Sequence, residues 1–407
     1  MKIRIDAERL WNSLMDLARI GATPKGGVRR IALSAADREG RDQFVRWARE
    51  AALAVRWDAI GNIFARRPGS DPSADAVMMG SHLDSQPSGG RFDGAYGVMA
   101  GLEVMRTLND HGSVTRAPLE VASWTNEEGS RFVPVMMGSG VFAGIFPVEE
   151  ALKAADREGV RAGEALAAIG YAGKPGAHKL AAYFEAHIEQ GPVLEDTRTT
   201  IGVVHGALGQ RWFDAAFTGQ DSHAGPTPME LRKDALIAAS RLVLEVNRIA
   251  KAYPDYARGT VGFMQVAPNS RNVVPGEVRM SVDLRNAEDA TLRSMADDLG
   301  RCAAAIAAEC RVAAELREVV YFPPCKFAPR LVDCVRRAAK DLGLTHRDIV
   351  SGAAHDAVYL ARVAPSAMIF VPCEGGISHN EIENARPGDL AAGCDVLLQA
   401  VLAQAGG

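Results

Sequence analysis

Two kinds of strand in one chain constrain its fold most. AVMMGS (76–81) is a short unbroken apolar run ending in Gly-Ser, the pattern of a strand buried on both faces. VRMSVDLRN (278–286) alternates strictly instead. Val278, Met280, Val282 and Leu284 fall on one face, and Arg279, Ser281, Asp283 and Arg285 on the other. A period of two with one polar face belongs to an antiparallel sheet covered on one side.

The two patterns divide the chain. In the first half strand and helix signals alternate: AVMMGS, then helical spacing of Val98, Leu102 and Met105, then PLEVASW (118–124). That order argues for an α/β sheet with helices on both faces. From about residue 206 the style changes. RWFDAAFTG (211–219) reads as a strand, 230–252 as a long helix and 291–310 as a second helix. After PPC (323–325) the α/β style returns, with a strand AMIFVP (367–372) and a helix over 387–404. At 407 residues the chain is too long for one ordinary core. The fold class is therefore read as α/β. A catalytic domain with a mixed, mostly parallel sheet spans 1–205 and 323–407, interrupted by an inserted α+β domain with an antiparallel sheet over 206–322.

Composition excludes several functions. Hydrophobic residues make up 47% and charged residues 24%, with a net charge of −4, so no basic surface for nucleic acid is expected. No run of about 18 apolar residues offers a membrane span. The N-terminus carries charges throughout and reads as an amphipathic helix rather than a signal peptide. All six cysteines lie in the last third without a CxxC pair, which speaks against a disulfide framework or zinc–thiolate site. A cytoplasmic location is the default expectation, and a small molecule the expected partner. Cys373 is read as a small buried side chain.

Four polar clusters interrupt apolar contexts at predicted strand ends or loops. In GSHLDSQPSGGRFDGAYGV, His82 lies just past the end of a strand and Asp93 opens a helix, whose dipole favours a carboxylate. In open α/β sheets ligands bind beyond the carboxyl ends of strands. SWTNEEGSRF carries adjacent Glu127 and Glu128. On an extended segment these point opposite ways, so one carboxylate can bind metal while the other faces a water. FEAHIEQGPVLE holds His187 and Glu189, and VPCEGGISHNEIE holds His379 after a Gly-Gly loop. Imidazole and carboxylate without thiolate suit Zn, Mn, Co or Ni. A metal pair can activate a water and stabilise the oxyanion that forms.

GSHLDSQPSGGRFDG, TNEEGSRF, HIEQGP, SHAGPTPM, NVVPG and GGISHNE together resemble the M20-type metallopeptidase clan. More narrowly they resemble its amidase branch: N-carbamoyl-L-amino acid hydrolases, β-ureidopropionases and allantoate amidohydrolases. The resemblance covers nearly the whole chain in order. It implies two divalent metal ions per subunit, zinc first, with manganese, cobalt or nickel as alternatives. His82 and His187 would bind one, Glu128 and His379 the other, and Asp93 would bridge them. Glu127 would be the general base, and His223 would polarise the scissile carbonyl from the partner subunit of a homodimer. Asn272 and Arg285 would bind a substrate carboxylate. Gln190, Gly375 and Gly376 would line the pocket, and Asp84 would orient the His82 ring. The inserted domain would serve as lid and dimerisation unit.

Plainer readings stand beside these. Arg285 could pair with Asp283 or Glu277, Asn272 could be a turn residue, and His223 a loop histidine capping a helix. His355 and Asp356 in SGAAHDAVYLA are expected near the site as an orienting hydrogen-bond pair. The implied reaction removes a carbamoyl group from a small carboxylate-bearing ureide or amide. An aminoacylase or dipeptidase of the same clan is the second reading. A non-catalytic binding paralogue is the third, disfavoured because all five metal positions and the base are present.

Overall fold

The computed structural model describes residues 3–253 and 255–406. They form two compact units, one running to His205 and resuming at Lys326, the other Gly206–Cys325.

The first unit is built on a mixed sheet. Its centre is four mutually parallel strands in the order Leu119–Trp124, Ala76–His82, Leu180–Ile188 and Ser366–Val371. Antiparallel strands extend it on both sides: Ile63–Arg67 and Ala54–Trp57 beyond Leu119–Trp124, and Ile201–Ala207 beyond Ser366–Val371. All seven residues of Ala76–His82 are buried, as are all six of Leu119–Trp124. The unbroken apolar runs therefore have two covered faces. The helices Ala95–Asp110 and Pro387–Ala405 pack together and against the parallel strands, as do the short helices Met137–Phe142 and Asp356–Leu360. The N-terminal helix Ala7–Ala18 is amphipathic, as read; Asp6 caps it by accepting from the Arg9 amide, and Leu10, Leu14 and Leu17 are buried. No helix among the described residues is long and apolar enough to cross a membrane.

The second unit is a four-stranded antiparallel sheet in the order Ala313–Phe322, Gly209–Thr218, Glu277–Asn286 and Arg258–Ala267. Helices Ala235–Ala252 and Asp289–Cys310 pack against it and against each other. Val278, Met280, Val282 and Leu284 are all buried in that core with Phe213, Leu242 and Leu299. Burying such a side chain contributes about 1.5–3 kcal/mol. A one-residue slip would expose all four, so the alternation fixes the register. The long helix begins at Ala235, five residues later than its periodicity suggests. Asp234 accepts from the amides of Leu236 and Ile237 and starts the helix there, while Met229–Leu231 form a separate 3₁₀ turn.

Candidate active site

The parallel strands deliver the polar clusters to one place because their carboxyl ends are neighbours. His82 is the last residue of its strand, and His187 is next to last in the adjacent one. Glu127 and Glu128 follow Trp124, and His379 follows Val371 by way of the turn Glu374–Gly376. Asp93 sits just before the helix Ala95–Asp110.

Asp93 organises the cluster with its two oxygens. Oδ1 lies 3.6 Å from His82 Nε2 and 3.2 Å from His187 Nε2. Oδ2 lies 3.3 Å from His379 Nε2, which is itself 3.4 Å from Glu128 Oε2. The structure thus makes two donor groups, His82–Asp93–His187 and Asp93–Glu128–His379, each with its atoms within 4.8 Å of one another. Nitrogen and oxygen donors about 2.0–2.2 Å from a tetrahedral cation stand about 3.3–3.6 Å apart, so the spacings fit. The charge balance fits as well. No Lys or Arg pairs with Asp93, Glu127 or Glu128 among the described residues, so the only potentially cationic groups in ion-pair reach of these buried carboxylates are imidazoles. Divalent cations would supply the missing counter-charge.

The ionisation pattern has the same origin. Burial disfavours the Asp93 charge, but His187, His379 and His82 outweigh it and hold the carboxyl well below its usual range. Burial lowers His82 and His187, and the surrounding carboxylates, Glu127 foremost for His82 and Asp93 for His187, raise both above the usual imidazole value. Asp93 lifts His379 to about 9. Burial pushes Glu128 up to about 7, with Asp93 adding to it. Burial also raises Glu127 well above its ordinary value, against the pull of His82.

The backbone around these groups is specialised. Gly94 has φ 62°, and a Cβ there would lie 2.4 Å from the His82 ring, so both conformation and space require glycine. Asn126, Gln190 and His379 hold positive φ of 53°, 58° and 53°. Non-glycine residues in that region concentrate at functional sites. The segment after Trp124 is not extended, as the sequence suggests, but bends at Asn126. The Asp84 carboxylate accepts from the Glu127 and Glu128 amides, each at 3.2 Å. Asp84 orients His82 through its main chain: His82 Nδ1 is 2.9 Å from the Asp84 carbonyl, and the carboxylate is 4.0 Å away.

The remaining expected residues fall in two places. In the first unit, Gln190 Nε2 donates to Asp93 Oδ2 at 3.0 Å and to Ser378 Oγ at 3.1 Å. Gly375 and Gly376 both have positive φ, and a Cβ on Gly376 would meet the Pro192 nitrogen at 2.5 Å. His355 is buried with its ring centroid 4.5 Å from that of His187. Burial and His187 hold it well below the usual imidazole value. It bonds Ser351 Oγ at 2.9 Å, not Asp356, whose partner is Ser139; the expected His355–Asp356 pair is absent because helix Asp356–Leu360 turns the acid toward Met137–Phe142. Glu189 caps the turn at Val193–Asp196 by accepting from the Val193 and Leu194 amides. Cys373 is buried, and burial pushes its thiol up to about 12.

In the second unit, His223 is exposed in the short strand Ser222–His223, paired with Val273–Val274, and accepts from the Gly225 amide. Asn272 is exposed and bonded to Ser270 Oγ at 3.1 Å. Arg285 Nη2 lies 2.9 Å from Asp283 Oδ2. These three stand on the inserted unit, apart in sequence from the donor groups.

Several supports escaped the sequence reading. Gln86 donates to Glu128 from its amide at 3.1 Å and from Nε2 at 2.7 Å. Arg30 is buried and donates to the Leu83 carbonyl at 2.6 Å. Arg41, buried beside Asp37, reaches Gly61 O and Thr125 Oγ1. Glu383 accepts from the Phe92 and Asp93 amides. Glu383 stands at the end of the His379 motif itself, but the two amides it accepts from are some 290 residues away in sequence.

Known proteins resemble this chain over nearly its whole length. The model of Peptidase family M20/M25/M40 matches residues 78–403. An N-carbamoyl-L-amino-acid amidohydrolase of Rhizobium meliloti is 47% identical over 401 residues, covering 98% of this chain and 96% of that protein. An allantoate amidohydrolase of Bacillus subtilis (strain 168) is 33% identical over 398 residues, covering 95% and 96%. A crystal structure of an amidase of the hydantoinase/carbamoylase family from Burkholderia multivorans is 56% identical, with a TM-score of 0.97, covering 99% of this chain and 98% of that one. The chain belongs to the M20 peptidase family and is a metal-dependent hydrolase. Within the family it stands on the amidase side, among hydrolases of non-peptide carbon–nitrogen bonds in linear amides.

Proposed function

We propose that this protein removes the carbamoyl group from an N-carbamoyl amino acid or a related ureide such as allantoate or N-carbamoyl-β-alanine. The observation that carries the reading is the division of Asp93, with one oxygen toward His82 and His187 and the other toward His379 and Glu128. The 47% identity to an N-carbamoyl-L-amino-acid amidohydrolase supports the substrate class.

His82, His187 and Asp93 would hold one divalent cation and Asp93, Glu128 and His379 the other, with zinc first and manganese, cobalt or nickel as alternatives. When bound, two such ions would supply Lewis acidity, making a water acidic near neutral pH and offsetting negative charge on the ureido oxygen. Glu127 takes the proton from that water and returns it to the leaving nitrogen. Its position supports the role: the carboxylate stands 3.5 Å from His82 Nε2 and accepts no hydrogen bond from the described residues, which leaves its lone pairs free for the proton. Water adds to the ureido carbon and the carbon–nitrogen bond breaks. The amino acid leaves, and the carbamic acid left behind yields ammonia and carbon dioxide.

We assign His223 to polarising the ureido carbonyl, contributed by the partner subunit of a homodimer formed through residues 206–322. Asn272 and Arg285 bind the substrate carboxylate, since a guanidinium suits bidentate pairing; Arg285 would exchange Asp283 for substrate. Gln190, Gly375 and Gly376 line the pocket, and Asp84 and His355 steady the histidines. A cytoplasmic location accompanies this reading.

The test is ammonia release from metal-reconstituted protein on allantoate, N-carbamoyl-L-amino acids, N-carbamoyl-β-alanine, N-acetyl-amino acids and dipeptides. Ammonia from a ureide, abolished by chelator, is expected. Cleavage confined to acyl or peptide substrates would overturn the carbamoyl reading.

A further inference from the structure

Among the residues of the two donor groups, His379 is the outlier. Its side chain is 53% exposed, against 5% or less for His82, Asp93, His187 and Glu128. It also sits on a loop at positive φ. A ligand so placed needs a tether if its nitrogen is to stay within 3.3 Å of Asp93.

The tether is Glu383, buried to 1% exposure four residues further on. Its Oε1 accepts from the Phe92 amide at 2.9 Å and the Asp93 amide at 3.2 Å. Its Oε2 accepts from Ser378 Oγ at 2.9 Å. The seat is built for it, since a Cβ on Gly90 would fall 2.0 Å from the Glu383 carboxyl. Asn384 adds to the join, accepting from Arg91 at 2.8 Å and bonding Glu374 through both main chain and side chain. The loop of Asp93 and the loop of His379 are thus pinned together at a buried carboxylate.

Ser378 makes the connection chemical as well as mechanical. Its hydroxyl accepts from Gln190 and has one proton for two carboxylates, Glu383 Oε2 at 2.9 Å and Asp93 Oδ2 at 3.2 Å. While Glu383 takes that proton, the Asp93 oxygen facing His379 keeps a lone pair for a cation. We infer that Glu383, acting through Ser378, is the positioning residue that builds the second cation site, Asp93–Glu128–His379, leaving the first site largely independent of it. Partners that orient metal ligands commonly carry such weight. The inference rests on the two-cation reading above.

The test is calorimetric titration of the metal-stripped full chain with Co²⁺ alone. Wild type should bind two equivalents. Glu383→Gln keeps shape and both amide bonds, but its Nε2 donates to Ser378 and turns the serine proton onto Asp93. The first equivalent should bind within about threefold of wild type and the second about 10–100-fold more weakly. Ser378→Ala, which leaves both amide bonds intact, should weaken the second equivalent alone and decides the matter if Glu383→Gln does not fold. Equal losses at both equivalents, or unchanged binding in both variants, would overturn the inference. A wild-type chain that takes up a single equivalent would overturn the two-cation reading itself.

Discussion

Glu127 and Glu128 are adjacent, chemically identical and both buried, yet the geometry gives them separate tasks that one substitution can separate. Glu128 Oε2 belongs to a donor group, 3.4 Å from His379 Nε2, and is held by two hydrogen bonds from Gln86. Glu127 belongs to neither donor group, and no hydrogen bond reaches its carboxylate among the described residues. Glu127→Gln therefore removes no native hydrogen bond and preserves volume, so the fold should change by less than about 1 kcal/mol. What it removes is the proton acceptor. General acid–base catalysis contributes about 10²–10⁴-fold, or about 3–5 kcal/mol of barrier at 1.4 kcal/mol per tenfold. The variant should keep its full metal content and lose turnover by that factor, with KM nearly unchanged. Glu128→Gln should instead lose metal, because an amide oxygen is a weaker ligand for a divalent cation than a carboxylate. The assay pairs elemental metal analysis of the purified variants with ammonia release. Glu127→Gln retaining more than about a tenth of wild-type turnover would remove the base role, since acid–base catalysis contributes at least about a hundredfold. Loss of metal in Glu127→Gln would make it a ligand instead.

Gly94→Ala should cost about 1–3 kcal/mol from its positive-φ backbone alone, at φ 62° and ψ −49°, and its Cβ at 2.4 Å must displace the His82 ring; a melt and metal analysis should show both effects, and a variant with normal metal content would contradict the close approach. Arg285→Lys should raise KM about tenfold with little change in kcat, from the loss of a bidentate contact; steady-state kinetics showing an unchanged KM would place the substrate carboxylate elsewhere. Glu120 supplies a pH prediction. Burial pushes its carboxyl up, but His178 and Arg66 outweigh that and hold it below 4.5. A depressed carboxyl stabilises the fold above its unfolded value, and that contribution is lost as pH falls through the folded value. His178→Ala should therefore lower stability by about 1.5–3 kcal/mol at pH 7, with the gap to wild type narrowing below 4.5, as read by denaturant melts across pH. A gap that widens in acid would refute the sign.

The sequence by itself determined much of this protein. Period-two alternation in 278–286 fixed a one-sided strand, because a strand's side chains alternate whatever the neighbours. Unbroken apolar runs at 76–81 and 367–372 marked strands with two covered faces for the same local reason. Polar residues at strand ends and loops offered candidate metal donors, and the resemblance their motifs carry pointed to a ligand set and to the enzyme family. Tertiary structure alone decided how the pieces meet. Whether His82, Glu128, His187 and His379 share one site depends on the order of four parallel strands, a matter of long-range pairing invisible to any local window. The turning of Asp93's two oxygens toward different partners, the bend at Asn126 and the pinning of Asp93 to Glu383 across some 290 residues likewise rest on hydrogen bonds between distant segments. Periodicity records which face of an element is buried, and carries nothing about which distant backbone amide a buried carboxylate will find.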